Sequence, residues 1–170
     1  MQQNFQAPTN QRYQFVPRVL VFLSCGDELL LMRRADDRPI FPGLYNGLGG
    51  HVERGESVLA AAHRELNEES GLQGIDLWLC AVVAIDTGDA DAGIVMWVFR
   101  GEATGEATKE SGEGTLEWVS KERIAALPLV EDIPYLLPRV LSIRPGDSPL
   151  WGFYDYGDEG KLRMNFDGDQ

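Results

Sequence analysis

Residues 50 to 72 read GHVERGESVLAAAHRELNEESGL, and they constrain the fold more than any other part of the chain. Glycines at Gly49, Gly50 and Gly55 permit positive φ angles and a close approach of backbone to a ligand. Ser57 is a fitting N-cap, and Gly71 stands where a helix ends, so residues 57–70 are expected to form a helix. Val58, Leu59, Ala62 and Leu66 make its apolar stripe and leave the glutamates on another face. Glu65 and Glu69 are four apart, and Glu65 and Glu68 three apart, which puts their carboxylates on adjoining positions. Such carboxylates repel unless a cation stands among them, and Mg²⁺ or Mn²⁺ suits their hard oxygen donors. Arg64 and Glu68 form an i, i+4 pair, so Arg64 can orient one glutamate in place of a metal. Taken alone, RELNEE also describes a solvated helix face.

With 170 residues, 44% of them apolar and 25% charged, the chain suits one globular domain. Residues 1–12 are polar and read as a flexible tail, leaving one domain over 13–170. Strands are expected at 14–24 and 28–34, around a Gly26-Asp27 turn, with a loop at 36–43 and a short strand at 45–50. Residues 77–85 and 94–100 are valine- and isoleucine-rich inner strands. A polar loop at 101–114 leads to a strand at 116–119 and helices at 121–126 and 131–141, the second despite Pro134 and Pro138. A hairpin at 151–156 and 161–166 closes the chain. Strands before, between and after helices make an α/β fold, a mixed sheet with helices on both faces. Cys25 and Cys80 lie in apolar runs and read as small hydrophobes in a reducing compartment. No apolar run is long enough to span a bilayer, and a cytoplasmic protein is expected.

The 23-residue pattern is glycine, five residues, glutamate, seven residues, Arg-Glu-apolar, any, Glu-Glu, any, Gly-apolar. Gly50, Glu56, Arg64, Glu65, Leu66, Glu68, Glu69, Gly71 and Leu72 fill every specified place. It resembles the Nudix box, and a chance match is on the order of 10⁻⁹ per start position at average residue usage. The resemblance implies a Nudix-type α/β/α sandwich that hydrolyses nucleoside diphosphates linked to a further group. It implies Mg²⁺ (or Mn²⁺) held by Glu65, Glu69, Glu68, the Gly50 carbonyl and Glu113. It casts Glu68, Glu65, Arg64 and Glu113 as the catalytic set. The net charge of −12 argues against a polymeric nucleic acid, yet an acidic chain can hold a small phosphate ligand through divalent cations.

Before the box, residues 43–50 (GLYNGLGG) resemble the approach in MutT-type oxidised-purine nucleoside triphosphatases. That likeness makes Asn46 a base reader, Arg33 a phosphate or base contact, and Glu56 a further substrate-side residue. Glu113 resembles the family's late acidic ligand. Asp132, with Glu131 second, resembles the base-recognising acids. The plain alternatives are an Asn46-Gly47 turn, a solvated strand end at Arg33 and a helix N-terminal charge at Asp132. Two departures stand out: residues 36–42 replace a shorter glycine-rich approach, and Leu129 and Val130 stand where the subgroup has a stacking tryptophan. Trp151, Phe153 or Tyr135 is expected to substitute. The implied function is metal-dependent pyrophosphohydrolysis of purine (deoxy)nucleoside triphosphates, 8-oxo-dGTP included, to monophosphate and pyrophosphate in nucleotide pool sanitation. The alternatives are hydrolysis of a dinucleoside polyphosphate, ADP-ribose or nucleotide sugar, or nucleotide binding without turnover. The partner is a small nucleotide, with neither a membrane nor a nucleic acid polymer, and the protein is a monomer or homodimer.

Overall fold

The computed structural model describes residues 12–105, 112–157 and 160–168. In chain order these form β1 (Gln14–Cys25), β2 (Glu28–Arg34), β3 (Tyr45–Asn46), α1 (Val58–Ser70), β4 (Leu77–Ile85) and β5 (Ala92–Glu102). β6 (Gly114–Ser120), α2 (Lys121–Ile124), α3 (Ile133–Ser142), β7 (Leu150–Tyr156) and β8 (Leu162–Phe166) follow. The sheet order is β3-β2-β1-β5-β4-β7-β8, with β6 also paired to β2. The β1–β5 and β4–β7 pairs are parallel and the rest antiparallel, so the sheet is mixed.

Side-chain alternation in β1 builds both cores. Val19, Val21 and Leu23 pack with Ala61, Ala62 and Leu66 of α1. Leu20 and Phe22 point the other way and pack with Ile133, Leu136 and Val140 of α3. A strand with apolar residues at both parities is buried on both faces, which is what a helix-sheet-helix sandwich requires. The architecture is thus the α/β/α sandwich.

The cleft originates in a divergence of two strands. β1 pairs with β5 along its length, from Gln14–Ala92 to Ser24–Glu102. On its other edge only Leu23–Cys25 pair with β2. The edge left open is filled by the segment after β3, through single bridges Val21–Leu48 and Arg18–His51. Val21 N–H donates to Leu48 O at 2.7 Å, and Val19 N–H donates to Gly50 O at 2.9 Å. Gly49 has φ +149°, and any Cβ there would collide with the Val19 carbonyl. Glycine is therefore required where this segment crosses β1.

Several expected elements shift. Residues 45–50 contain only a two-residue strand followed by those bridges, because Gly47 and Gly49 lie tight against β1. The α1 caps are Ser57, whose Oγ accepts from Ala60 N–H at 3.1 Å, and Gly71, at φ +75°. Leu59 is not part of the buried stripe: it is 44% exposed, and the stripe centres on Ala61, Ala62 and Leu66. The helix expected at 131–141 begins at Ile133, with Pro134 in its first turn, where the missing N–H has no intrahelical partner to lose. Cys80 is buried and Cys25 partly exposed, both as free thiols. No described helix is long and apolar enough to cross a membrane. The expected tail falls, apart from Arg12, outside the described residues, as do residues 106–111 of the polar loop.

Candidate active site

Arg64 organises one end of the cleft. Its Nε and Nη2 donate to both oxygens of Glu56, at 3.1 and 2.8 Å. Its Nη1 reaches Glu65 at 3.0 Å and Glu68 at 3.2 Å, and Nη2 also donates to the His51 carbonyl at 2.9 Å. Glu56 Oε1 accepts in addition from Glu53 N–H at 2.7 Å, which ties the loop to the helix. Arg64 and that backbone bond hold the Glu56 carboxyl below the usual range. One planar guanidinium thus fixes three carboxylates and a loop carbonyl, a task suited to its rigid fork of donors.

Glu69 is different in kind. It is only 4% exposed, and its Oε2 accepts from Gly49 N–H at 2.9 Å. Burial pushes its carboxyl up to about 8; the Gly49 bond opposes this, while the negative charges of Glu113 and Glu65 add to it. Glu65 is raised as well, mainly by burial, with Arg64 pulling back and Glu68 and Glu113 pushing up. Buried carboxylates that disfavour one another's ionisation need positive charge.

No three His, Cys, Asp or Glu side chains among the described residues share a ligating geometry, and Arg64 bonds both Glu65 and Glu68. The donor chemistry nevertheless fits a hard divalent cation. Glu65, Glu68 and Glu69 each bond the protein through one oxygen, and Glu113 is close enough to raise two of them. A Cβ on Gly50 would occupy the place of the Glu65 carboxylate, so glycine keeps this cradle open.

From Glu69 the cleft runs over two joined cavities. The first is bounded by Gly49, Gly50, Glu69 and Arg34. The second, about 390 Å³, is bounded by Asp132, Glu131, Tyr154 and Tyr156. Arg18, Leu20, Phe41, Asn46 and Met96 line both. Asp132 sits at the N-cap of α3 with no side-chain cap bond, and burial raises its carboxyl to about 6. The Tyr154 hydroxyl is buried beside it with no hydrogen-bond partner among the described residues.

The NUDIX domain family model matches residues 14–140. The chain belongs to the Nudix family. The NAD-capped RNA hydrolase NudC of Stutzerimonas stutzeri is 32% identical over 133 residues, covering 76% of this chain and 46% of that protein. The chain therefore spans less than half the length of that relative. The crystal structure of a MutT protein from Bacillus halodurans superimposes with a TM-score of 0.75 at 25% identity, over 92% of this chain and all of that one. The NUDIX domain of Shewanella oneidensis NrtR, solved with ADP ribose, shares the fold at TM-score 0.67 and 18% identity, over 81% of this chain and 93% of that one.

Within this Nudix cleft some expected residues are placed elsewhere. Arg33 turns away to Asp36, at 2.8 Å, and its neighbour Arg34 lines the cleft. Adjacent strand residues point to opposite faces, so choosing between two arginines in sequence depends on the register. Glu56 spends both oxygens on Arg64 and does not line either cavity. Trp151, Phe153 and Tyr135 are 55%, 45% and 57% exposed and do not line the two cavities. The aromatic rings there belong to Phe41, Tyr154 and Tyr156. Phe41 carries φ +54°, an uncommon state for a bulky residue, and its ring lines both cavities. Sequence reasoning missed Arg18, Arg34 and Phe41. The available signal for Arg18 was a charge between Pro17 and the apolar core run of β1.

Proposed function

We propose that this Nudix protein is a divalent-cation-dependent pyrophosphohydrolase acting on purine nucleoside triphosphates, 8-oxo-dGTP among them, with nucleoside monophosphate and pyrophosphate as products. The observation that carries the reading is the continuity of the cleft. Glu69 and the Gly49-Gly50 backbone lie at one end, Asp132 at the other, and Asn46 lines the span they share. The carboxylate end suits a cation-bound polyphosphate, and the other end combines apolar walls with a few polar groups, as nucleoside sites do.

Glu65, Glu69 and the Gly50 carbonyl would hold the cation, with Glu68 and Glu113 completing the set. A bound Mg²⁺ or Mn²⁺ neutralises phosphate charge and lowers the pKa of an attacking water. Arg34 offers a fixed positive charge to the departing pyrophosphate. Glu68, the most exposed of the Arg64-held carboxylates, would take the proton from that water. Arg64 keeps the acids and the His51 carbonyl aligned, so that little reorganises as charge shifts. At the far end the Asn46 amide presents both donor and acceptor to a base edge, although its Oδ1 also closes a turn by accepting from Gly47 N–H at 2.7 Å. We take residues 13–170 as one domain acting as a monomer or homodimer, and propose a cytoplasmic role in nucleotide pool sanitation.

A second reading, a nucleoside diphosphate derivative such as NAD or ADP-ribose, is favoured by the NudC relative and by the ADP-ribose bound to NrtR. A panel of dGTP, 8-oxo-dGTP, ATP, diadenosine polyphosphate, NAD, ADP-ribose and UDP-glucose, with Mg²⁺, Mn²⁺ or chelator, separates the two. Preferential conversion of a purine triphosphate to its monophosphate is expected. Preferential cleavage of NAD or ADP-ribose would transfer the assignment to the second reading, and metal-independent cleavage would overturn both.

A further inference from the structure

Arg18 brings a positive charge to the wall of both cavities. Among the described residues it makes no ion pair and no side-chain hydrogen bond, and it is partly buried. Its nearest charged influences are Arg34, which is unfavourable, and Glu65, which is favourable but weaker than the burial it opposes. It occupies the β1 row that continues as Leu20 and Phe22, where its neighbours on that face are core residues. A guanidinium in such a row costs stability unless something ionic meets it.

The backbone fixes where that partner must lie. Arg18 is in register with Met96 of β5 on one edge and bridges His51 on the other, so its Cα is held from both sides. Its side chain lines both the Glu69 cavity and the Asp132 cavity, whereas Arg34 lines only the first. The order along the cleft is therefore Asp132, then Arg18, then Arg34 with Glu69. In a nucleotide the order from the base is base, sugar, α-phosphate, then the outer phosphates.

We infer that Arg18 is the binding residue for the phosphate nearest the nucleoside, holding the α-phosphate at the junction of the two cavities in substrate and in monophosphate product alike. This rests on the nucleotide-hydrolase reading. It gives Arg18 and Arg34 separate duties: Arg18 stays with the monophosphate, and Arg34 faces the leaving pyrophosphate. The bidentate fork of arginine fits two phosphate oxygens, which a lysine contacts only as a point charge.

The test is calorimetric binding of GMP, guanosine, AMP and adenosine to the full chain in chelator-containing buffer, where no turnover occurs. Wild type is expected to bind at least one monophosphate more tightly than its nucleoside. Arg18→Gln should lose that preference, by about 10- to 100-fold in monophosphate affinity, with nucleoside binding unchanged. Arg18→Lys should keep part of it, and Arg34→Gln should keep it whole. Melting curves should show Arg18→Gln at least as stable as wild type, since it removes an unpaired, partly buried charge. Absence of any monophosphate preference in wild type, an equal loss for nucleoside and monophosphate in Arg18→Gln, or its loss in Arg34→Gln alone would each overturn the assignment. The catalytic reading fails separately, if the substrate panel shows no metal-dependent cleavage while Arg18-dependent monophosphate binding persists.

Discussion

At the carboxylate end of the cleft, Arg64 gathers Glu56, Glu65, Glu68 and the His51 carbonyl, all from one loop and the helix that follows it. The Asp132 end instead takes Leu20 from β1, Phe41 from a loop, Met96 from β5, Asp132 from the start of α3 and Tyr154 from β7. In the first region each charged group is oriented by its neighbours, so the region works or fails as a unit. In the second the residues share a space with few bonds between them, and one side chain can change without disturbing the rest. A change at the carboxylate end should therefore depress every substrate alike, while a change at the Asp132 end, on the proposed reading, should alter the choice among substrates.

Glu69→Gln tests the first half of that contrast most severely. Glutamine is nearly isosteric, keeps an oxygen for the Gly49 N–H and removes a charge that burial disfavours. The fold should hold or gain stability, while kcat falls on the order of 10³-fold or more for all substrates, since hard-cation ligation is weakened. Near-normal turnover with an unchanged melting temperature would remove Glu69 from the metal set.

Arg64→Ala should cost less in rate and more in stability. It leaves Glu56 and Glu65, both partly buried, without the cation that holds them. A lower melting temperature is expected, with kcat/KM down on the order of 100-fold and substrate ranking retained. A changed ranking would show that the two regions are coupled after all.

Asp132→Asn probes the other end, and its effect depends on pH. Burial raises the Asp132 carboxyl to about 6 from an ordinary value near 3.8. The folded state therefore binds its proton more tightly than the unfolded chain. Stability from this residue is fully present below about pH 4, is lost as pH rises toward 6, and stays lost above it. The asparagine variant should match wild type at pH 4 and exceed it by about 3 kcal/mol at pH 8, as read by denaturant melts at the two values. Its kcat/KM should drop about tenfold for the preferred purine, and less for other bases, because an acid that titrates near 6 is replaced by an amide with fixed donors and acceptors. An equal drop for every base would assign Asp132 to structure instead of base recognition.

The same contrast accounts for what was legible in the sequence. Ser57, Gly71 and the glutamate spacing lie within one helix and its approach, where local geometry determines which residues meet, and the α1 caps form where the residue types placed them. The mixed sheet and its two helix layers followed from the order of strands and helices along the chain. Phe41, Met96 and Tyr154 meet only because β1 separates from β2 and because β5 and β7 are drawn in by non-local pairing. No window of sequence holds that information. Leu59 escaped for a smaller reason: one residue of helical rotation separates the stripe's edge from solvent.

Arg33→Ala carries the smallest effect and is the sharpest check on the strand register. Arg33 and Arg34 differ by one position, so a slip of one residue in β2 would exchange their surroundings. In the observed register Arg33 pairs across the strands with Tyr45 and Thr115, and its guanidinium meets exposed Asp36. An exposed pair of this kind contributes little, because water and salt screen it and both side chains lose freedom. Arg33→Ala should therefore leave KM within about twofold and the melting temperature nearly unchanged, whereas Arg34→Ala should raise KM for triphosphates several-fold, on the order of a lost charged hydrogen bond. Steady-state kinetics on the two variants side by side decides the matter. A larger loss at Arg33 than at Arg34 would mean that the phosphate-facing side of β2 has been taken from the wrong parity, and the neighbouring roles of Arg18 and Glu69 would then have to be rebuilt around it.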